Sequence, residues 1–420
     1  MAKVKEKSIY KKNVIWNAVA GIINAGEAIV ILAVASRING LKDAGVLTLA
    51  FSLANLFMTI GKFGIKNYQV AHDGEDFSFR TFLISRVITV ALMVLIAFLY
   101  VAYYFIYDQY TIEKSSVIFF VCMWYAIEAF EDVFFGKYQA LGRLDIGSKM
   151  FSIRWIITIV TFIIIDLIYE NIVFATICTL GVELLWGAVA IIYISQKYKF
   201  DKMQCAKGDR GLKNLFRESK FLCISAFLYY FVTNIPKYVI NAYLGDEVQA
   251  IYGYISMPIF VISLLNSFVY QPQLTAYVFE WRENKIKQFV NRIFRQLLII
   301  VSIMVTCIFG AYVLGIPILS ILYHEKLDMY KMHLIILLLG GGFLAVGGFL
   351  ANMLTIINEQ KKSMVVYAIV ALMGYVTVDL LVKDFRLIGA VWGYTVTMAL
   401  MALLFGGVFA YIIREKNYRL

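Results

Sequence analysis

A dozen separate stretches of this 420-residue chain are apolar over close to twenty residues, long enough for each to cross a hydrocarbon layer as an α-helix. That feature removes most folds at once. A backbone in lipid has no water to bond with, so it must close its own hydrogen bonds as a helix or a barrel. Runs of this length belong to helices. They lie approximately at 14–36, 45–66, 81–106, 117–140, 149–169, 172–195, 220–243, 249–271, 291–314, 334–357, 364–382 and 388–412. Composition agrees: 61% of the residues are hydrophobic and 16% charged, against roughly 25% charged in soluble domains. The expected fold class is an all-α polytopic membrane protein of about twelve transmembrane helices.

The N-terminus imitates a secretion signal, with a basic start, an apolar run and Ala33-Val34-Ala35. Its apolar run exceeds the roughly 7–15 residues of such signals, and it carries Asn17, Asn24 and Glu27. It is expected to stay as the first span. Cys122, Cys178, Cys223 and Cys307 lie in apolar runs and Cys205 in a basic loop, without ligand spacing. No disulfide and no metal are expected.

Orientation follows from the basic residues. With an even number of spans and the N-terminus inside, 31 Lys and Arg fall on the cytoplasmic side and 7 outside, leaving Lys237 in the membrane. The positive-inside rule places both termini in the cytoplasm. The net charge of +11 is an orientation signal and does not point to nucleic acid. The longest internal hydrophilic segment, "QKYKFDKMQCAKGDRGLKNLFRESK", follows the sixth span near the midpoint. Two six-helix halves are therefore expected, at 1–205 and 206–420. Weak similarity between "RINGLKDAGVLTLAFSLANLF" and "YLGDEVQAIYGYISMPIFVISL" suggests a repeat of the kind many transporters contain.

Several spans keep polar residues where lipid would penalise them. In 45–66, Thr48, Ser52, Asn55, Thr59, Lys62 and Lys66 recur at steps of four and three, one face of a helix. The lysines serve either as snorkelling anchors or as cations at a cytoplasmic mouth. The uncharged members line a cavity or make interhelix hydrogen bonds. The first span places Asn13, Asn17, Gly21, Asn24 and Glu27 on or beside one face. Glu27 is read as a cavity-lining or ion-coupling residue, with a structural ion pair as the alternative. The seventh span has Tyr230, Asn234, Lys237 and Asn241 at the same steps, with Pro236 beside the lysine; the eighth has Ser263, Asn266, Tyr270 and Gln273.

The fourth span is acidic. "WYAIEAFEDVFFGKYQ" puts Glu128, Glu131 and Asp132 on adjacent turns of one face. Such carboxylates repel, so at least one must be protonated or paired with a cation. Arg86 and Arg154 are the expected partners in a structural network; the functional alternative makes Glu128 or Asp132 a proton or cation site. The glycines of "LLLGGGFLAVGGFLANM" suit a hinge or close helix packing and receive no binding role. No nucleophile–base–acid set surrounds His72, His324 or His333, and the outward loops are short. No enzyme activity is expected.

Three phrases, "KFGIKNYQVAHDGEDFSF", "EAFEDVFFGKYQALGRLDIGSK" and "PKYVINAYLGDEVQAIYGYISMPIFVISLLNSFVYQPQLT", resemble bacterial polysaccharide-biosynthesis membrane proteins. These are the Wzx-type flippases of the multidrug/oligosaccharidyl-lipid/polysaccharide (MOP) exporter superfamily. The resemblance implies a MATE-like fold of two six-helix lobes around a central cavity that opens alternately to each side. It implies a bacterial cytoplasmic membrane and a cargo of polyprenyl-pyrophosphate-linked oligosaccharide for cell-surface polysaccharide. Lys62, Lys66 and Lys237 would meet the pyrophosphate, and Asn24, Asn55, Asn234 and Asn266 the sugars. Glu27, Glu128 and Asp132 would serve ion coupling, to H+ or Na+; no other cofactor is expected. Other polysaccharide-assembly membrane proteins are candidate partners. The first helix has no arginine before Arg37, unlike the peptidoglycan-precursor flippases, which counts against lipid II as cargo. The alternatives are a cation-coupled multidrug exporter of the same superfamily and, from another class, a membrane glycosyltransferase or ligase.

Overall fold

The computed structural model describes residues 2–72, 76–198 and 208–418, and these are overwhelmingly helical. In chain order the helices are α1 (Ala2–Ile38), α2 (Leu41–Lys62), α3 (Ile65–His72), α4 (Phe79–Ile106), α5 (Ile112–Ala140), α6 (Leu144–Tyr169) and α7 (Ile172–Tyr198). After the hydrophilic segment come α8 (Gly211–Tyr243), α9 (Asp246–Ser256), α10 (Ile259–Tyr270), α11 (Leu274–Arg282), α12 (Ile286–Gly310), α13 (Ile316–Tyr323), α14 (Lys331–Ile356) and α15 (Gln360–Tyr418). All twelve expected spans fall on these helices, the eighth being divided between α9 and α10.

Nine helical segments among the described residues are long and apolar enough to cross a membrane. α5 and α8 fall outside that set. The carboxylates of α5 and the Asn234–Lys237 stretch of α8 lower their hydropathy, although each is longer than a bilayer requires. The third addition is hidden in α15, which bends at Arg386 (φ 56°, ψ −130°). There the chain doubles back as a hairpin. A Cβ on Gly389 would collide with the Leu381 carbonyl oxygen, one on Gly393 would stand 3.1 Å from the Val378 Cα, and one on Gly374 would press on the Thr397 side chain. Only glycine permits backbones to approach so closely.

The chain divides into two compact units, Met1–Phe227 and Leu228–Leu420. The division lies inside α8; the expected boundary at 205/206, like Cys205, lies outside the described residues. The early turns of α8 belong to the first unit for a packing reason. Phe216 meets Phe63 edge-on at 5.3 Å, the Tyr68 hydroxyl donates to the Glu218 carbonyl at 2.9 Å, and Leu222 packs on Gly64.

One local expectation changes. The polar stripe of the second span is not one continuous helical face. α2 ends at Lys62, because Phe63 (φ 48°) and Gly64 (φ 67°) take left-handed backbone, and α3 restarts at Ile65. A left-handed residue and a glycine are the usual helix stop. Thr48, Ser52 and Thr59 are buried, and their hydroxyls donate to carbonyls of their own helix, Ala44, Thr48 and Leu56, at 2.9, 2.8 and 2.7 Å. Ser and Thr in membrane helices satisfy themselves by such back-bonding.

Candidate functional site

The first unit holds a network of buried charges built on one turn of α5. Glu128 and Asp132 stand four residues apart, on one face of the helix. Lys62, the last residue of α2, places Nζ 2.7 Å from Glu128 Oε1. Lys66, the second residue of α3, places Nζ 3.5 Å from Asp132 Oδ1. The helix break at Phe63–Gly64 thus hands each lysine its own carboxylate.

Two arginines complete the pairing from other helices. Arg86 of α4 donates to Asp132 Oδ2 at 2.8 Å and to the Gly61 carbonyl at 2.7 Å. Arg154 of α6 donates to Glu128 Oε2 at 2.8 Å, lies 3.1 Å from Glu131 Oε2 and 3.7 Å from Glu183 Oε1 of α7. Both guanidiniums are fully buried. The Trp155 indole donates to Glu128 at 3.0 Å, and the Thr158 hydroxyl donates to Glu183. The arginines therefore take the partners their positions forecast, while Lys62 and Lys66 join the network as well. A charge in hydrocarbon costs about 2.5–3.5 kcal/mol on insertion scales, and pairing is what keeps these groups in place.

The pairing is uneven. Asp132 is shared by two cations, Lys66 and Arg86. Around Arg154 the balance reverses, with three carboxylates facing Arg154 and Lys62. Glu131 Oε1 and Glu183 Oε2 are buried and have no hydrogen-bond partner. On the far side of Glu131 lies an apolar groove of about 390 Å³ between α4, α5 and α7, lined by Val90, Ala126, Ile127, Phe130, Leu184 and Gly187 among others. A Cβ on Gly187 would stand 3.9 Å from Glu131 Oε1, which places that carboxylate beside the groove.

Glu27 of α1 is buried, accepts the Tyr125 hydroxyl at 2.8 Å, and keeps Oε2 unpartnered. The Asn55 side chain lies near the Tyr125 hydroxyl and donates to the Phe51 carbonyl at 2.9 Å. Asn17 and Asn24 lie exposed on the same side of α1 as Gly21. The structure therefore brings Lys62, Lys66, Glu128 and Asp132 together, sets Glu27 and Asn55 around Tyr125, and leaves Asn24 on an open face.

The remaining expected residues lie in the second unit. Asn234 donates to the Tyr230 carbonyl at 3.0 Å. Asn266 is buried and accepts from Gln296 at 2.8 Å. Lys237, half-buried after Pro236, has no ion-pair or hydrogen-bond partner among the described residues. Elsewhere in this unit, Arg292 binds Glu280 at 2.6 Å and Gln273 at 3.1 Å, and Asn352 donates to the Tyr270 hydroxyl at 2.9 Å.

Sequence reasoning passed over Glu183, Tyr125, Trp155 and Gln296. Glu183 carried a readable signal, a lone carboxylate within "ICTLGVELLWGAVA", since ionisable residues inside a span are functional candidates by default. The two aromatic residues had none, because a span rich in Tyr and Trp hides which ring reaches a carboxylate.

Comparison with known proteins adds to this geometry. The structure superposes on an inward-facing multidrug resistance MATE family transporter of the MOP superfamily with a TM-score of 0.75, at 12% identity, covering 97% of this chain and 99% of that one. It matches the Vibrio cholerae MATE transporter VcmN in its bent form (TM-score 0.61, 12% identity, 98% of each chain). It also matches a eukaryotic MATE transporter, AtDTX14 (TM-score 0.59, 16% identity, 97% and 99%). At such identities the likeness establishes the MATE-like fold. No curated protein matches the sequence significantly. The profile of the polysaccharide biosynthesis protein family matches residues 10–278, and the chain, a multi-pass membrane protein, belongs to that family.

Proposed function

We propose that the protein is a non-enzymatic flippase that carries polyprenyl-pyrophosphate-linked oligosaccharide across the bacterial cytoplasmic membrane by alternating access. The carrying observation is the pair Lys62 and Lys66, whose side chains are 31% and 33% exposed while their counter-ions Glu128 and Asp132 are buried. Buried carboxylates hold the two ammonium groups in position, and the exposed side of each remains available to a second anion. A pyrophosphate diester carries two negative charges and needs such cations once it leaves water. Lys237 supplies a further cation in the second unit. The exposed Asn24, with Asn55 and Asn234, offers neutral donors and acceptors suited to sugar hydroxyls; Asn266, already engaged by Gln296, is the weakest of that set. The family match to polysaccharide biosynthesis supports the cargo class. Ion coupling, to a proton or Na+, is assigned to the carboxylates, with Glu27 joining Glu128 and Asp132.

The test is export of cell-surface polymer in a strain that depends on this protein. Lys62→Ala with Lys66→Ala, and separately Lys237→Ala, should abolish surface polymer and accumulate lipid-linked intermediate inside while protein levels stay normal. Undiminished export would remove these lysines from the site.

A second reading, export of organic cations, draws on the multidrug transporters with which the fold superposes and on the carboxylates near Arg154. The lysines count against it, because they occupy Glu128 and Asp132. Unchanged drug susceptibility on deletion, with loss of surface polymer, would discard it.

A further inference from the structure

The charge network divides into two unequal halves, and the inequality has a use. Lys66 and Arg86 share the single carboxylate of Asp132, which leaves one positive charge in excess. Lys62 and Arg154 face Glu128, Glu131 and Glu183, which leaves one negative charge in excess. Glu128 and Asp132, one turn apart on α5, set the two halves side by side, so that each offsets the other. An anion that engages Lys62 and Lys66 ends that balance. It neutralises the positive half and divides the charge of Lys62 between itself and Glu128, leaving Arg154 as the one undivided cation facing Glu128, Glu131 and Glu183.

We propose that binding of an anionic headgroup at Lys62 and Lys66 is accompanied by uptake of one proton from solvent onto Glu131 or Glu183. The inference rests on the transport reading above and adds a linkage between substrate and proton. The only bond made is O–H, on Glu131, whose Oε1 and Oε2 are both buried without a hydrogen-bond partner, or on Glu183, whose Oε2 is; release of the anion returns the proton to solvent. Glu131 and Glu183 are 1% and 0% exposed. The charged and titratable groups around them come from every neighbouring helix: Glu27 from α1, Lys62 from α2, Lys66 from α3, Arg86 from α4, Tyr125, Glu128 and Asp132 from α5, and Arg154 from α6. Among these only Arg154 touches both carboxylates, and it is already committed to Glu128. The groove next to Glu131 is lined by apolar side chains and Gly187, and Glu131 itself is shut off from it by burial.

The experiment uses the full-length protein in nanodiscs and a symmetrical dialkyl pyrophosphate with one ester on each phosphorus, whose two charges do not titrate near neutral pH. Titration calorimetry in buffers of different ionisation enthalpy reads the protons exchanged on binding. Wild-type protein should take up about one proton per anion, and affinity should fall about tenfold per pH unit as pH rises. Glu131→Gln with Glu183→Gln supplies neutral side chains in advance, so binding should become independent of pH with no proton exchanged. If the double variant does not fold, Glu183→Gln alone, which balances two cations against two carboxylates, should flatten the dependence. Binding without proton uptake in wild type, or uptake that persists in the Gln variants, overturns the linkage alone. Absence of binding at any pH overturns it together with the headgroup role of the lysines.

Discussion

Lys62 Nζ and Glu128 Oε1 lie 2.7 Å apart although 66 positions separate them in the chain. The lysine is thus neither a bare cation awaiting a ligand nor a simple interfacial anchor. It is a cation held at the end of α2 by a buried carboxylate, part exposed and part committed. Two loads bear on the same ammonium, one from the protein and one from whatever anion reaches it. Arg154, on the opposite oxygen of Glu128, keeps that carboxylate satisfied if Lys62 moves.

That arrangement separates stability from transport. Arg154→Met should lower the unfolding free energy by about 3–5 kcal/mol, because removing one member of a buried charge pair leaves the others uncompensated. Thermal melting in detergent would show a lowered midpoint. Adding Glu131→Gln and Glu183→Gln to that variant should restore part of the loss, since fewer unpaired carboxylates then remain.

Lys62→Ala should melt within a few degrees of wild type, because Arg154 and the Trp155 indole still satisfy Glu128. A flipping assay with a fluorescent lipid-linked oligosaccharide in vesicles should nonetheless show loss of transport. A melting point lowered as far as that of Arg154→Met would assign Lys62 to the structural part of the network.

The glycines of the second unit should divide by their surroundings. Gly389→Ala sets a Cβ against the Leu381 carbonyl at a separation no folded backbone tolerates, and overpacking of this kind costs about 1–3 kcal/mol or more. Gly348→Ala meets nothing within 4 Å and lies inside α14. It should raise stability by about 0.4–1 kcal/mol through loss of unfolded-state entropy. Denaturation midpoints of the two variants should move in opposite directions.

Outside the membrane, Asp209 ties the segment before α8 to the start of α4. Burial raises its pKa, but hydrogen bonds from the Ser78 and Thr81 hydroxyls and the Gly211 amide outweigh it and hold the carboxyl below its usual range. A depressed folded value means the contribution to stability is complete above the unfolded pKa of about 3.9 and disappears as pH falls through the folded value. Hydrogen exchange in the first turn of α4 should therefore quicken under acid, below about pH 4. Asp209→Asn should exchange fast at neutral pH and lose that dependence.

The all-helical class, the spans and the acid–base character of the site were legible in the residues themselves. Lipid supplies no backbone partners, so any apolar stretch of sufficient length is forced into a helix wherever it sits. Local spacing also placed Glu128 and Asp132 on one face, since helical periodicity needs no tertiary contact. What only the tertiary structure decided is which charges meet. The left-handed step at Phe63–Gly64 ends α2 and delivers Lys62 and Lys66 to separate carboxylates, and the packing of α6 and α7 on α5 brings Glu183 to Arg154. Pairing of charges depends on which helices become neighbours and at what rotation, and those are set by contacts between residues far apart in the chain. Thr48, Ser52 and Thr59 mark the same boundary. Their period announced a polar face, yet only packing could show it buried and closed on its own carbonyls.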